Sequence, residues 1–215
     1  MEQLVSGIIL AAGLSTRMRG RQKLLMDMGG IPVIERVVRA ALTSSLSQII
    51  LVVAPEHGEM RKALGSLLYS PRLSIAPNAQ AAQGISSSLR IGLQAVSQDA
   101  TGVMILLGDQ PLISSDVINI LVVRFLQLPN KIVAPCVRGR RSNPVIFPME
   151  FIPELRQIEG DVGGRTVIQR HEDRLETVEL GIDYDDIDVD TPEDFERARD
   201  RLAKLSRSLL TAFLF

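Results

Sequence analysis

Residues 7–23 read GIILAAGLSTRMRGRQK. Gly7 to Leu10 is a short apolar run of the kind buried on both faces of a parallel sheet, and it passes directly into small, hydroxyl and basic residues. A loop of that composition wraps backbone N–H groups around a phosphate chain. Gly13 permits close backbone approach, Ser15 and Thr16 can donate hydrogen bonds, and Arg17 and Lys23 bring fixed charge. The stretch predicts a nucleotide site at the end of a first strand. Its spacing is neither G-x-G-x-x-G nor G-x-x-x-x-G-K-[ST], so neither the dinucleotide fingerprint nor the Walker A loop is present. Taken alone it reads equally well as a strand-to-helix turn with surface arginines.

Outward from this segment, apolar strand-length runs alternate with helix-length segments. The strands read SGIIL, QIILVV, RLSIA, GVMILL and KIVAP, and the helices PVIERVVRAALTSS, HGEMRKALGSLL, ISSSLRIGLQAVSQ and SSDVINILVVRFLQ. The pattern predicts an α/β fold: a Rossmann-like, mostly parallel sheet flanked by helices. After residue 140 the regularity loosens. NPVIF and LETVEL read as further strands, DVGGRTVIQRH as a glycine-interrupted turn and helix, and TPEDFERARDRLAKL as a final helix with Thr191 as N-cap. An open parallel sheet binds ligands outside the carboxyl ends of its strands, where strand order reverses. Ala11 to Gly13 follow the first strand, Asn78 to Ser88 the third, and Gly108-Asp109 the fourth, so these residues are expected to face one crevice.

The 215 residues, 46% hydrophobic, suffice for one well-filled domain, read as residues 1–205, with an apolar tail at 206–215. A net charge of -1 offers no general attraction to nucleic acid or to an anionic membrane, so neither is expected as a partner. The lone Cys136 excludes an internal disulfide and any multi-cysteine metal site, and it reads as a small buried residue. With no signal segment and no apolar run long enough to span a bilayer, a cytoplasmic location is expected.

Asp109 ends the apolar run VMILLGD and precedes Pro111. A carboxylate there is costly unless it caps the next helix or holds a cation, and a magnesium ion takes one or two protein carboxylates, completing its shell with substrate phosphates. Asp188 and Asp190 alternate along an extended segment and project to one face, which makes them candidates for a second acid. His57 and His171 read as surface histidines, and nothing in the sequence forms a nucleophilic triad or a zinc site.

The first segment resembles the signature L-A-A-G-x-S-x-R-M, followed by Lys, of the molybdenum cofactor cytidylyltransferases. QGISSSLRIGL from Gln83, LLGDQP from Leu106, RSNPVIF from Arg141, GDVGGR from Gly160 and DVDTPEDF from Asp188 agree in order and approximate spacing. The resemblance covers roughly residues 5 to 200, and its specificity lies in the ordered set. It implies the nucleotide-diphospho-sugar transferase type of fold and transfer of CMP from CTP to molybdopterin or its molybdenum-loaded form, with release of pyrophosphate and dependence on Mg2+. The product would then pass to a molybdenum hydroxylase.

Residue by residue, the resemblance implies that Lys23 stabilises the alpha-phosphate region and Arg17 the departing phosphates. It places the second metal ligand before Thr-Pro, favouring Asp190 over Asp188 as partner of Asp109. Ala11-Ala12-Gly13 and Ser15 would hold the nucleotide, with Ala12 narrowing the base pocket toward a pyrimidine where guanylyl relatives carry a second glycine. Ser88 and Asn78 would read cytosine or ribose, while Ser86 and Ser87 contact it or cap a helix. Arg140, Arg141, Asn143 and Arg165 would meet the acceptor, and Asp161 would either position it or cap the following helix. The rival readings are transfer to a sugar or polyol phosphate, against which Gln22 before Lys23 counts because polyol-phosphate enzymes usually carry proline there, and a non-catalytic cofactor delivery protein.

Overall fold

The computed structural model describes residues 4–13, 22–181 and 184–212. Its elements, in chain order, are β1 Leu4–Ala11, α1 Val33–Thr43, β2 Gln48–Val53, α2 Gly58–Leu64, β3 Leu73–Pro77, α3 Ile85–Gln94, β4 Ala100–Leu107 and α4 Ser115–Gln127. There follow β5 Ile132–Val137, β6 Arg140–Arg141, β7 Val145–Pro148, α5 Ile152–Arg156, α6 Arg165–Arg170, β8 Leu175–Glu179 and α7 Pro192–Ala212.

The eight strands form one sheet in which β3, β2, β1 and β4 are parallel neighbours in that order. β7 enters antiparallel between β4 and β5. At Val133 and Cys136, β5 pairs with β8 on one edge, which leaves β7 and the short β6 to share the other. The sheet is therefore mostly parallel, with β7, the NPVIF segment, and the short β6 as its antiparallel members.

Strand periodicity sorts the core onto two faces. Ile9, Ile49, Leu51, Met104 and Leu106 join α1, α4 and α7 in one cluster, while Ile8, Ile50, Val52, Val103 and Ile105 join α3, α5 and α6 in the other. Each fully buried side chain of this size stabilises the fold by about 1.5 to 3 kcal/mol relative to exposure. Helix α1 buries Val33, Ile34, Val37 and Val38 along one face. The stretch HGEMRKALGSLL does not run as one helix. Gly65 takes φ 46 at the end of α2, and the chain tightens into a 3-10 turn over Gly65–Tyr69. Helix α5 and the two-residue β6 are too short for periodicity to reveal. No helix among the described residues is long and apolar enough to cross a membrane.

Because β2 and β3 lie on one side of β1 and β4 on the other, strand order reverses between β1 and β4. The crevice belongs at their carboxyl ends, after Ala11 and Leu107.

Candidate active site

Gly108 brings the two strand ends together. Its N–H donates to the Leu10 carbonyl at 2.9 Å, and a Cβ at this position would come 2.9 Å from that same oxygen and 3.2 Å from the Ala11 Cβ. The next residue, Asp109, therefore stands directly over the end of β1. Lys23, at the start of a 3-10 turn, reaches the same point: its Nζ donates to Asp109 Oδ2 at 2.6 Å and to Asp190 Oδ1 at 2.8 Å. Burial pulls the ammonium toward deprotonation, but the charges and hydrogen bonds of Asp109 and Asp190 outweigh it and raise its pKa above the ordinary lysine value. Lys23 is thus a fixed cation held between two acids.

Asp190 arrives from far along the chain because the segment before α7 returns over the end of β4. The Val189 N–H donates to the Asp109 carbonyl at 2.9 Å, and the buried Gln110 donates from Nε2 to Asp188 Oδ1 at 2.8 Å. Burial, and after it the charge of Asp109, pushes the Asp188 carboxyl up to about 6. Asp188 is held by Gln110, whereas Asp109 and Asp190 share the cation.

A cavity of about 370 Å³ opens beside this cluster, between the Ala11-Ala12-Gly13 turn, Leu107, and the Ala81 to Ser88 entry to α3. A second cavity of about 310 Å³ continues from it, the two sharing Leu10, Ile85, Leu107 and Asp161 as common wall. Arg141 and Arg165 line the second cavity, over a floor that includes Phe147. Among the described residues neither guanidinium has a carboxylate partner. Burial, and then the neighbouring charge of Arg165, lowers the pKa of Arg141. Two unneutralised cations in one half-buried cavity make a site for an anion.

Residues 7–175 match the family model of the MobA-like NTP transferase domain. The chain belongs to this family of nucleotidyltransferases. Purine catabolism protein PucB of Bacillus subtilis (strain 168) is 30% identical over 202 residues, spanning 90% of this chain and 95% of that protein. Among solved structures, Rv0371c from Mycobacterium tuberculosis H37Rv superposes with a TM-score of 0.78 at 24% identity, covering 93% of this chain and 99% of the other. The same protein has been solved in complex with manganese, with a TM-score of 0.74 at 23% identity and coverage of 92% and 99%. The 4-diphosphocytidyl-2C-methyl-D-erythritol synthase of Anaerococcus prevotii DSM 20548 shares the fold at a TM-score of 0.73 and 19% identity, with coverage of 94% and 96%.

In this MobA-like transferase the structure gathers Ala11, Ala12, Gly13, Lys23, Ser88, Asp109 and Asp161 around the first cavity, and Arg141, Asn143, Asp161 and Arg165 around the second. Ser15 and Arg17 lie outside the described residues. Asn78 lines neither cavity: it is fully buried, donating to Ser87 Oγ at 2.9 Å and Ser88 Oγ at 3.0 Å, and so holds Ser88 in place. Two expectations are corrected. Ser86 and Ser87 do not cap α3, because the capping position is Gly84 and the Ser87 hydroxyl donates to the Gly84 carbonyl. Asp161 does not cap the helix that follows it, and its carboxylate accepts from the Ile85 N–H at the start of α3.

Sequence reasoning missed Gln110, whose place after the candidate metal ligand in LLGDQP was the available signal. It also missed Tyr184, whose hydroxyl donates to the Asn143 carbonyl at 2.9 Å and ties the C-terminal segment to the second cavity. Cys136 is half-buried rather than buried. His171 is a partly exposed histidine bound to Glu154 at 2.7 Å, outside both cavities.

Proposed function

We propose that this protein transfers CMP from CTP to the phosphate of molybdopterin or its molybdenum-loaded form, releasing pyrophosphate. The observation that carries the reading is the cluster of Lys23, Asp109 and Asp190 at the reversal point of the sheet, with a nucleotide-sized cavity on the Ala11-Ala12-Gly13 turn beside it and a di-arginine cavity behind a shared wall. Attack by an acceptor phosphate on the alpha-phosphate requires both substrates to meet where the two cavities adjoin. Lys23 supplies a charge that the neighbouring acids keep protonated, aimed where negative charge develops. Arg141 and Arg165 bind and orient the acceptor phosphate. Asn78 fixes Ser88, and Ala12, with its methyl group, leaves less room for the base than a glycine.

The residues present fit a divalent cation. Asp109 and Asp190 already hold one cationic group between them, both offer hard oxygen donors, and two carboxylates are what magnesium takes from protein when phosphates complete its shell. Asp109 and Asp190 would hold it, and it would supply charge neutralisation on the phosphates. Manganese bound to the similarly folded Rv0371c supports this use of a divalent ion. The cytidylyl chemistry in the name of the Anaerococcus synthase supports CTP, and the name of PucB ties that relative to purine catabolism.

The test is to incubate the purified protein with magnesium, molybdopterin and each of ATP, CTP, GTP and UTP, following pyrophosphate and nucleotide-linked pterin. Pyrophosphate release with CTP and molybdopterin is expected. Turnover only with sugar or polyol phosphates would replace the acceptor, and binding without turnover would turn the protein into a delivery factor.

A further inference from the structure

Helix α3 begins without a capping side chain of its own, since Gly84 occupies that position. Its first amides are taken instead by a loop far along the chain: Ile85 N–H donates to Asp161 Oδ1 at 3.0 Å and Ser86 N–H to the Gly160 carbonyl at 3.1 Å. The fit demands glycine at position 84. The backbone there has φ 95, and a Cβ would come 2.5 Å from Asp161 Oδ1 and 2.9 Å from the Gly160 carbonyl. Beyond Asp161 the loop passes the exposed Val162 and the left-handed Gly163, and it is seated again at Gly164, where a Cβ would meet the Phe147 ring at 2.8 Å. Arg165 follows at once, at the start of α6. The loop that carries Arg165 into the second cavity is thus pinned at its upstream end to the helix whose first turn walls the first cavity, and Asp161 lines both.

Resting on the two-substrate reading above, we propose that Asp161 is a positioning residue that registers the acceptor loop on the nucleotide cavity, so that CTP bound against the first turn of α3 orders Arg165 for the acceptor. A free helix N-terminus attracts phosphate. The Asp161 carboxylate occupies this one and leaves the triphosphate to the Gly13 and Lys23 side of the cavity. The same carboxylate transmits the position of α3 to the loop, because any shift of Ile85 moves the group its amide holds.

Hydrogen–deuterium exchange tests this without the acceptor. Wild type, Asp161→Ala and Asp161→Asn are compared with and without CTP and magnesium, reading segments 84–88 and 160–165. In the wild type, CTP should slow exchange in both segments. In Asp161→Ala, exchange at Ile85 should rise by roughly tenfold, as expected for loss of one charge-assisted hydrogen bond, and CTP should still slow 84–88 but no longer 160–165. Asp161→Asn keeps an accepting oxygen and should retain most of the coupling. With molybdopterin present, Asp161→Ala should raise the acceptor KM by about tenfold, and Asp161→Asn should restore most of the loss. CTP protection confined to 84–88 in the wild type would overturn the coupling and leave the nucleotide reading standing. Absence of CTP protection from both segments would overturn both readings.

Discussion

At the residue scale, Asp109 combines two roles that a single substitution separates. Its carboxylate shares Lys23 with Asp190, and its carbonyl receives the Val189 N–H. Asp109→Asn keeps the shape and the backbone contact but removes the charge. Turnover is expected to fall by roughly 10²-fold or more with little change in melting temperature, because Asp190 still pairs Lys23. A variant that is both folded and fully active would refute the metal assignment. Ala12 is buried against the second face of the core at the edge of the first cavity. Ala12→Gly is expected to relax the preference for CTP over GTP by about 1 to 3 kcal/mol, the range for a methylene-sized contact, measured as competitive turnover of the two nucleotides. Equal use of GTP by the unchanged protein would end the argument from Ala12.

At the element scale, the start of α7 holds the acidic segment in place. Thr191 and Asp194 form a reciprocal cap: the Asp194 N–H donates to Thr191 Oγ1 at 3.1 Å, while Asp194 Oδ2 accepts from the Thr191 N–H at 3.0 Å and from its hydroxyl at 2.7 Å. Thr191→Ala should destabilise the fold by about 1 kcal/mol, read by chemical denaturation. The Thr191 hydroxyl bond, with the backbone bonds beside it, holds the Asp194 carboxyl below its ordinary value of 3.8. A depressed carboxyl stabilises the folded state above its unfolded pKa, and that contribution is lost as pH falls through the folded one. Denaturation curves of Asp194→Asn should therefore lie below those of the wild type above pH of about 4 and converge with them in more acid solution. Because Asp190 directly precedes this cap, Thr191→Ala is also the element-level change most apt to reach the site.

At the scale of the whole molecule, the proposed function assigns one substrate to each cavity. Arg141 and Arg165 come from opposite ends of the antiparallel excursion through β6, β7 and α5, and both line the second cavity only. Arg165→Ala or Arg141→Ala should raise the acceptor KM by the equivalent of about 1.5 to 3 kcal/mol, the cost of one charge-assisted contact, with CTP affinity nearly unchanged by calorimetry. Collapse of CTP binding in either variant would mean that the partition is drawn in the wrong place. The loop from Gly160 to Gly164 touches both cavities through Asp161, which lines each of them with Leu10, Ile85 and Leu107.

By itself the sequence determined the layered α/β architecture and the carboxyl-end location of the site, because period-two strands, 3.6-residue helices and small residues at strand ends are local properties that a linear pattern carries. Its ordered motifs also picked out Lys23, Asp109 and Asp190 as separate candidates. Only the tertiary structure decided that one ammonium joins the two acids, that the buried Asn78 holds Ser87 and Ser88, and that Asp161 caps a helix begun 76 residues earlier. Those choices turn on which distant backbone donors and buried side chains end up adjacent. That adjacency is fixed by strand order, by the antiparallel entry of β7 and by the return of the C-terminal segment over β4, none of which leaves a periodic trace in the chain.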